Sequence, residues 1–183
     1  ITDIAFSPDG TRLAISSRNI VAKIFDLGSQ KELLTIRDST HRVQRLAFHP
    51  DGKKIATTGN SNYSTQISTV KIWNVETGKE IRTINNYPRS YHCVSFSPDG
   101  RWIVAGSSEI VRIWDMAGKE VLTITTGYAS SVKSIVFSPD GNRLAAGSVD
   151  TTARIWELYP EGLIAAVAKN YRLAEFISPQ LEA

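Results

Sequence analysis

The chain has 183 residues, of which 42% are hydrophobic and 21% charged, and its formal net charge is +3. This composition is typical of a globular domain and excludes the disordered and fibrous classes. The Lys and Arg residues are scattered rather than arranged in a basic stripe, and no apolar run approaches the roughly 18 residues of a membrane span, so neither nucleic-acid binding nor membrane insertion is indicated.

A five-residue sequence motif, Phe followed by Ser or His and then Pro-Asp-Gly, occurs four times, and we call it the first repeated phrase. Its copies have periods of 42, 48 and 41 residues and begin at Phe6, Phe48, Phe96 and Phe137. Pro sets φ for the second position of a type I turn, Asp bonds nearby backbone, and Gly takes the left-handed conformation that follows. Each copy therefore predicts a hairpin between antiparallel strands, and the fixed period indicates a repeat architecture.

A second phrase, Ile followed by an aromatic residue in a short apolar run, comes after each hairpin. Its copies begin at Ile24, Ile72, Ile113 and Ile155. Glycine and then a further β-rich segment follow the first three copies, at residues 32–36, 80–84 and 120–124. Each repeat is therefore predicted to be a four-stranded antiparallel meander, with the last strand missing from the fourth repeat. The second repeat is longer than the others, and its extra residues are predicted to form an inserted loop at residues 60–66.

This pattern resembles the WD-repeat β-propeller family over residues 1–158. The resemblance implies an all-β fold in which each repeat is one blade and the blades surround a central channel. The implied blades are residues 1–42, 43–90, 91–131 and 132–158. The aromatic residues of the second phrase would then pack between blades as core residues: Phe25, Trp73, Trp114 and Trp156.

The chain departs from the family at the Gly-His pair that often precedes the first strand. The corresponding pairs are Asp38-Ser39, Asn86-Tyr87 and Gly127-Tyr128. The acidic turn residue of the family is matched clearly only by Asp150. The hydrogen-bond network that these residues form in the family is therefore not expected to stabilise the blades.

The two ends of the repeat region predict an incomplete ring. The first strand starts at Ile1 and the fourth repeat is one strand short, so we expect the C-terminal part of a longer propeller. The missing strand and upstream blades would come from the same parent chain. A small four-bladed ring and a ring closed by two chains remain alternatives, because an open arc leaves strand edges that can pair with another chain.

The β pattern stops after Leu158, and residues 159–183 are predicted to form a short helical tail. Pro160 suits the first turn of a helix, and apolar residues follow with helical spacing: Leu163, Ile164, Val167 and Tyr171. The Pro-Glu-x-Leu-Ile-Ala segment resembles one that follows the last repeat in bacterial WD-repeat proteins, which implies a bacterial source. The helix would cover the last blade or dock another domain.

No catalytic residue, cofactor site or metal site is predicted. The three His residues, His41, His49 and His92, have no metal-ligand spacing on one element. The Ser and Asp residues concentrate in turns, where such side chains bond the backbone. Cys93 is the one cysteine, which excludes an internal disulfide and a Cys-based metal site and predicts a small buried thiol.

Partner binding is predicted on the loops that enter the first strands and the loops between second and third strands, which share one face. Tyr and Arg are enriched at binding hot spots, and these loops supply six candidates: Arg42, Tyr63, Tyr87, Arg89, Tyr91 and Tyr128. Tyr87 and Tyr128 could instead pack between blades, whereas Arg42, Arg89 and Tyr91 are expected at the surface. The Pro-Asp-Gly turns lie on the opposite face.

The leading hypothesis is a non-catalytic scaffold or sensor that binds a protein or peptide within a larger cytoplasmic signalling protein. The alternative is a small-ligand or enzymatic site at the central channel. That alternative would use charged side chains that converge from the first strands, with Asp3, Arg45 and Lys133 as candidates. Nucleic-acid binding is a third possibility, which steep salt dependence would reveal.

Overall fold

The computed structural model describes residues 1–17, 21–38, 42–60, 68–87, 90–126, 131–158 and 167–171. Its strands form four antiparallel sheets of four strands each. Within each sheet the strands are neighbours in chain order, as the meander prediction requires. The predicted all-β blade architecture is confirmed.

We number the strands in chain order and call each sheet a blade. Blade 1 holds β1 Asp3–Phe6, β2 Arg12–Ser16, β3 Val21–Asp26 and β4 Glu32–Arg37. Blade 2 holds β5 Arg42–Phe48, β6 Lys54–Asn60, β7 Ser68–Asn74 and β8 Glu80–Tyr87. Blade 3 holds β9 Cys93–Phe96, β10 Trp102–Gly106, β11 Ile110–Asp115 and β12 Glu120–Thr125. Blade 4 holds β13 Val132–Phe137, β14 Arg143–Ser148, β15 Ala153–Glu157 and β16 Val167–Tyr171.

The four repeated phrases form the predicted hairpin turns. In the first, Gly10 has φ +71° and its N–H donates to the Ser7 carbonyl at 2.9 Å. The Asp9 carboxylate accepts hydrogen bonds from the Ser7 hydroxyl and from the Thr11 N–H at 3.0 Å. These bonds, with Ser7 the largest contributor, lower the pKa of Asp9 to about 2. The turn is thus specified by the phrase itself, which is why the sequence predicts it well.

The fourth blade is completed by the tail, which corrects two predictions. β16 pairs antiparallel with β15, with Tyr171 opposite Ala153 and Val167 opposite Glu157. The prediction that the fourth repeat lacks its last strand was therefore wrong. The prediction of a helix was also wrong for residues 167–171. The open edge of β15 offers a full ladder of backbone hydrogen bonds, and this non-local pairing overrides helical spacing in the segment. The rest of the predicted helical tail lies outside the described residues.

Blades pack in chain order through two faces that recur in every repeat. β1 contacts β5, β5 contacts β9, and β9 contacts β13, whereas β1 and β13 share no comparable contact within the described ranges. We call the face turned toward the preceding blade the leading face and the other the trailing face. Between blades 1 and 2, the trailing residues Ala14 and Ile24 pack with the leading residues Leu46, Ile55 and Trp73.

The repeated aromatic residues lie on the leading faces. Trp73, Trp114 and Trp156 are 4%, 1% and 1% exposed, which confirms that they pack between blades. The Trp73 indole N–H also donates to the Thr57 hydroxyl at 2.8 Å. Phe25, the equivalent residue of blade 1, is only half-buried, because within the described residues no blade packs against its leading face. The prediction for Phe25 was therefore wrong.

Candidate functional site

Two side chains link the first strands of three blades. The Asp3 carboxylate accepts a hydrogen bond from the Leu46 N–H at 2.9 Å, which joins blades 1 and 2. The Arg45 guanidinium donates to the Thr2 carbonyl and to the His92 carbonyl, each at 2.9 Å. One guanidinium in blade 2 therefore bonds to the backbone of blades 1 and 3.

Two of the first strands are irregular, beside Arg45 in blade 2 and beside Lys133 in blade 4. The pairing of β5 with β6 shifts register between Val43 and Arg45, and that of β13 with β14 shifts between Val132 and Ser134. Each shift leaves one extra residue on the first strand, and such a bulge re-aims the side chains beside it. In blade 4 the extra residue is Lys133.

Arg45, His92 and Lys133 form a basic cluster that draws on three consecutive blades, and we call it the inner basic cluster. Burial lowers the pKa of His92, and the positive charges of Lys133 and Arg45 lower it further. Lys133 is exposed and makes no hydrogen bond or ion pair with the described residues. Asp3, the one carboxylate within the first strands, accepts a hydrogen bond from the Leu46 N–H, and the two cations Arg45 and Lys133 outnumber it.

Of the six residues predicted to bind a partner, Arg42, Tyr87 and Tyr91 lie within the described residues. Arg42 is exposed at the start of β5, three residues before Arg45. Tyr87 ends β8, opposite Ser68, and three further candidates lie outside the described residues: Tyr63, Arg89 and Tyr128. A binding role for these five residues stays a prediction.

Tyr91 was wrongly predicted to lie at the surface. Its side chain is 0% exposed and packs edge-to-face on Trp114, with ring centroids 5.8 Å apart. Tyr91 stands five residues before Phe96, and the buried Val43 and Val132 stand at the same distance before their own Phe. Alignment of the repeats on that Phe could therefore have assigned Tyr91 to the core.

The opposite face has a cleft of about 350 Å³ between the turns of blades 3 and 4. Trp102 lines it and stands where the other repeats have a basic residue: Arg12, Lys54 and Arg143. The exceptional Trp at this position is visible in the sequence, but the cleft was not predicted from it. Its carboxylates are engaged locally, since Asp99 accepts hydrogen bonds from Ser97 and Arg101, and Asp140 from Ser138 and Asn142. The cleft is therefore lined by two carboxylates and one guanidinium, that of Arg101, and it has no positive field.

Two residues considered for chemistry have structural surroundings instead. His49 Nε2 lies 3.0 Å from the Gly100 carbonyl, and the ring packs edge-to-face on Phe96, so His49 joins blades 2 and 3. Cys93 is buried, which confirms that prediction, and burial raises the pKa of its thiol to about 12.

Across the described ranges, no group of three or more His, Cys, Asp or Glu could hold a metal ion. In the same ranges no helix is long and apolar enough for a bilayer crossing.

Comparison with known proteins gives one family and two partial relatives. The model of the WD domain, G-beta repeat, matches residues 1–26, 30–64, 78–115 and 118–157. The chain is similar to the target of rapamycin complex subunit wat1 of Schizosaccharomyces pombe, with 34% identity over 77 residues, 41% of this chain and 22% of that protein. It is also similar to polyadenylation factor subunit 2 of Candida albicans, with 41% identity over 61 residues, 32% of this chain and 11% of that protein.

Each match spans less than a quarter of the relative's own length. Both relatives carry names that describe subunits of larger assemblies. Neither supports the bacterial source predicted from the tail.

Proposed function

The chain belongs to the WD domain, G-beta repeat family, and we propose that it is a non-catalytic scaffold that binds an acidic protein segment at the inner basic cluster. The observation that carries this proposal is the convergence of Arg45, His92 and Lys133 from three successive blades. The names of the two relatives, each a subunit of a complex, support a role in protein assembly.

Charge favours an acidic partner. Lys133 is exposed and makes no ion pair with the described residues, and Arg42 is exposed at the start of β5. Positive charge gathered on one surface attracts and orients an acidic partner and selects against a basic one. The cleft on the other face offers no such positive field, because two carboxylates, those of Asp99 and Asp140, line it beside the Arg101 guanidinium.

The inner polar groups favour binding over catalysis, because they hydrogen-bond to the backbone. Asp3 is bonded to the Leu46 N–H, and Arg45 donates to the backbone carbonyls of Thr2, Gln44 and His92. These atoms hold the blades together, so they are poorly placed to exchange protons with a substrate. We therefore rank the small-ligand or enzymatic channel below protein binding.

The proposed setting is a larger cytoplasmic signalling protein. A single buried thiol fits a reducing compartment, and the small net charge of +3 favours a protein partner over nucleic acid. The other partner-binding candidates, Arg42, Tyr63, Tyr87, Arg89 and Tyr128, would extend the same surface toward the loops around it.

Replacing Lys133 with glutamate is expected to weaken binding of a fluorescent hexaglutamate peptide by about tenfold, or about 1.4 kcal/mol. The loss follows because a carboxylate would replace the exposed cation of the cluster. Fluorescence anisotropy at about 0.1 M ionic strength, where the Debye length is about 10 Å, would measure it, with hexalysine as the peptide of opposite charge.

The matched control is Lys31→Glu, which makes the same charge change at an exposed site between β3 and β4. This control should leave binding within about twofold of the wild type, because charges beyond a Debye length are screened. Equal weakening by both variants would show that only net charge matters and would contradict the proposed site. Tighter binding of hexalysine would contradict the partner chemistry.

A further inference from the structure

The cleft between the turns of blades 3 and 4 has an apolar and aromatic lining. Pro98, Pro139 and Leu158 line it together with Trp102, which is half-buried. The two turns approach closely, since a Cβ placed on Gly141 would lie 3.7 Å from the Pro98 Cδ. Blades 3 and 4 pack on each other, so the cleft does not depend on any further blade.

The equivalent turn of blade 2 uses different side chains. There Lys54 forms an ion pair with Asp51, and His49 extends across to blade 3. Blade 3 has Trp102 at the position of Lys54 and Ser97 at the position of His49. The junction of blades 3 and 4 therefore presents an indole where the preceding junction has a cation, and a small hydroxyl where it has an imidazole.

Arg101 shows which chemical group this cleft accommodates. Its guanidinium carbon lies 5.8 Å from the Trp102 ring centroid, and its Nε lies 2.5 Å from the Asp99 carboxylate. The side chains of Arg101 and Asp99 are 60% and 44% exposed, so solvent screens their ion pair and the pair is weak. A guanidinium over an indole and beside a carboxylate is thus the arrangement that the chain itself places here.

Asp140 supplies a second carboxylate, and it makes no ion pair with the described residues. Asn142 stands where blade 3 has Arg101. Hydrogen bonds from Ser138 and Asn142 lower the pKa of Asp140, and Arg143 lowers it less, so the carboxylate is ionised at neutral pH. Among the described residues its Oδ2 atom accepts a hydrogen bond only from the Asn142 side-chain amide, at 3.3 Å. A carboxylate oxygen has two lone pairs, so Asp140 can accept a further bond from a cationic donor.

We propose that the cleft binds an arginine side chain from a segment of a partner protein, with the guanidinium stacked on Trp102 and paired with Asp140. A planar guanidinium fits both contacts, because it stacks on aromatic rings and forms paired hydrogen bonds with carboxylates. Two carboxylates line the cleft against the single guanidinium of Arg101, so charge also favours a cationic ligand. This site lies on the face opposite the inner basic cluster and does not rest on the function proposed for that cluster. A scaffold with both sites would hold two segments of opposite charge.

A nuclear magnetic resonance titration of the 183-residue chain with a single-arginine peptide tests the proposal. The probe is Gly-Gly-Arg-Gly-Gly with blocked termini, and the signals followed are the Trp102 indole N–H and the Gly141 amide. Both signals should shift at millimolar peptide. The same peptide with citrulline in place of arginine should bind at least about tenfold more weakly, because citrulline keeps the shape and loses the charge. Signals that do not move, or equal binding of the citrulline peptide, would overturn the proposal.

Replacing Asp140 with asparagine should weaken binding of the arginine peptide by about tenfold, because it removes the paired charge. Asp9→Asn is the matched control, since Asp9 accepts the equivalent turn bonds from Ser7 and Thr11 in blade 1, outside the cleft. The control should leave binding within about twofold of the wild type. Equal weakening by both variants would show that only net charge matters and would overturn the site.

Trp102→Arg should also weaken binding by about tenfold, because it replaces the stacking surface with a like charge. Arg12 and Arg143 stand at this position in blades 1 and 4, so circular dichroism should report an unchanged β fold. The Gly141 amide reports binding in this variant. Undiminished binding would overturn the role of the indole.

Two further arms separate the source of the arginine and the two sites. Free arginine should bind more weakly than the blocked peptide, because its α-carboxylate would face those of Asp99 and Asp140; tighter binding of free arginine would overturn a protein segment as the ligand. Lys133→Glu, which damages the inner basic cluster, should leave binding of the arginine peptide within about twofold. A change in Lys133→Glu as large as that in Asp140→Asn would overturn the cleft as a separate site. Failure of the arginine peptide alone would leave hexaglutamate binding at the inner basic cluster intact.

Discussion

Replacing Trp114 with alanine is expected to lower the free energy of unfolding by about 3–5 kcal/mol. Trp114 is 1% exposed and packs in the junction of blades 2 and 3, where it meets Val70, Ile72 and Tyr91. Truncation would remove that apolar burial and leave a cavity that the facing strands cannot fill. Urea denaturation followed by far-ultraviolet circular dichroism would measure the loss.

Trp102→Ala is the matched control for this substitution. It makes the same chemical change at a Trp that is only half-buried beside the cleft, with Arg101 over its ring at 5.8 Å. The control should cost clearly less, because part of the Trp102 ring is already in contact with water. Equal losses for the two variants would contradict the placement of Trp114 between blades.

Replacing Lys71 with methionine is expected to destabilise the protein by about 3–5 kcal/mol, the usual cost of breaking a buried ion pair. Lys71 Nζ lies 3.0 Å from the Asp38 carboxylate and 3.1 Å from Glu80. Lys71 and Asp38 are 7% and 2% exposed. Without the ammonium group, the Asp38 carboxylate would remain buried without this counter-ion. Chemical denaturation at neutral pH measures the effect.

The chain offers a matched control in blade 1. Lys23 occupies the same strand position as Lys71 and pairs with Glu32 at 2.5 Å, but the two side chains are 49% and 36% exposed. Lys23→Met should therefore cost about 0–1 kcal/mol, as surface ion pairs do. Asp38→Asn should recover part of the loss when it is added to Lys71→Met, because it removes the buried charge. Similar costs for Lys71→Met and Lys23→Met would contradict the buried pair.

The fold was predictable where local chemistry decides it. The Pro-Asp-Gly turns close on their own hydrogen bonds, as Asp9 and Gly10 illustrate, so each turn is specified within five residues. The alternating apolar residues of the strands also agree with the local pattern. By contrast, β16 forms because the edge of β15 is open to it, and no feature of residues 167–171 alone encodes that pairing.

The candidate site was predictable only in part. Arg45 and Lys133 were recognised as inward-facing candidates because first strands meet at the centre of a propeller. The hydrogen bonds of Arg45 could not be inferred from the sequence, since they reach Thr2 and His92, which lie 43 and 47 positions away along the chain. Asp38 was noted as a departure from the family, but its ion pair with Lys71 depends equally on contact between blades.

The most direct test of the account is the nuclear magnetic resonance titration of His92. Burial, Lys133 and Arg45 lower the pKa of His92, so Lys133→Glu should raise that pKa by replacing a nearby positive charge with a negative one. Lys31→Glu, which changes net charge equally at a site between β3 and β4, should leave it unchanged. A His92 pKa that rises only in Lys133→Glu would confirm that Lys133 of blade 4 lies beside His92 of blade 3 in the inner basic cluster. A His92 pKa that stays the same in both variants would contradict the cluster and the binding site built on it.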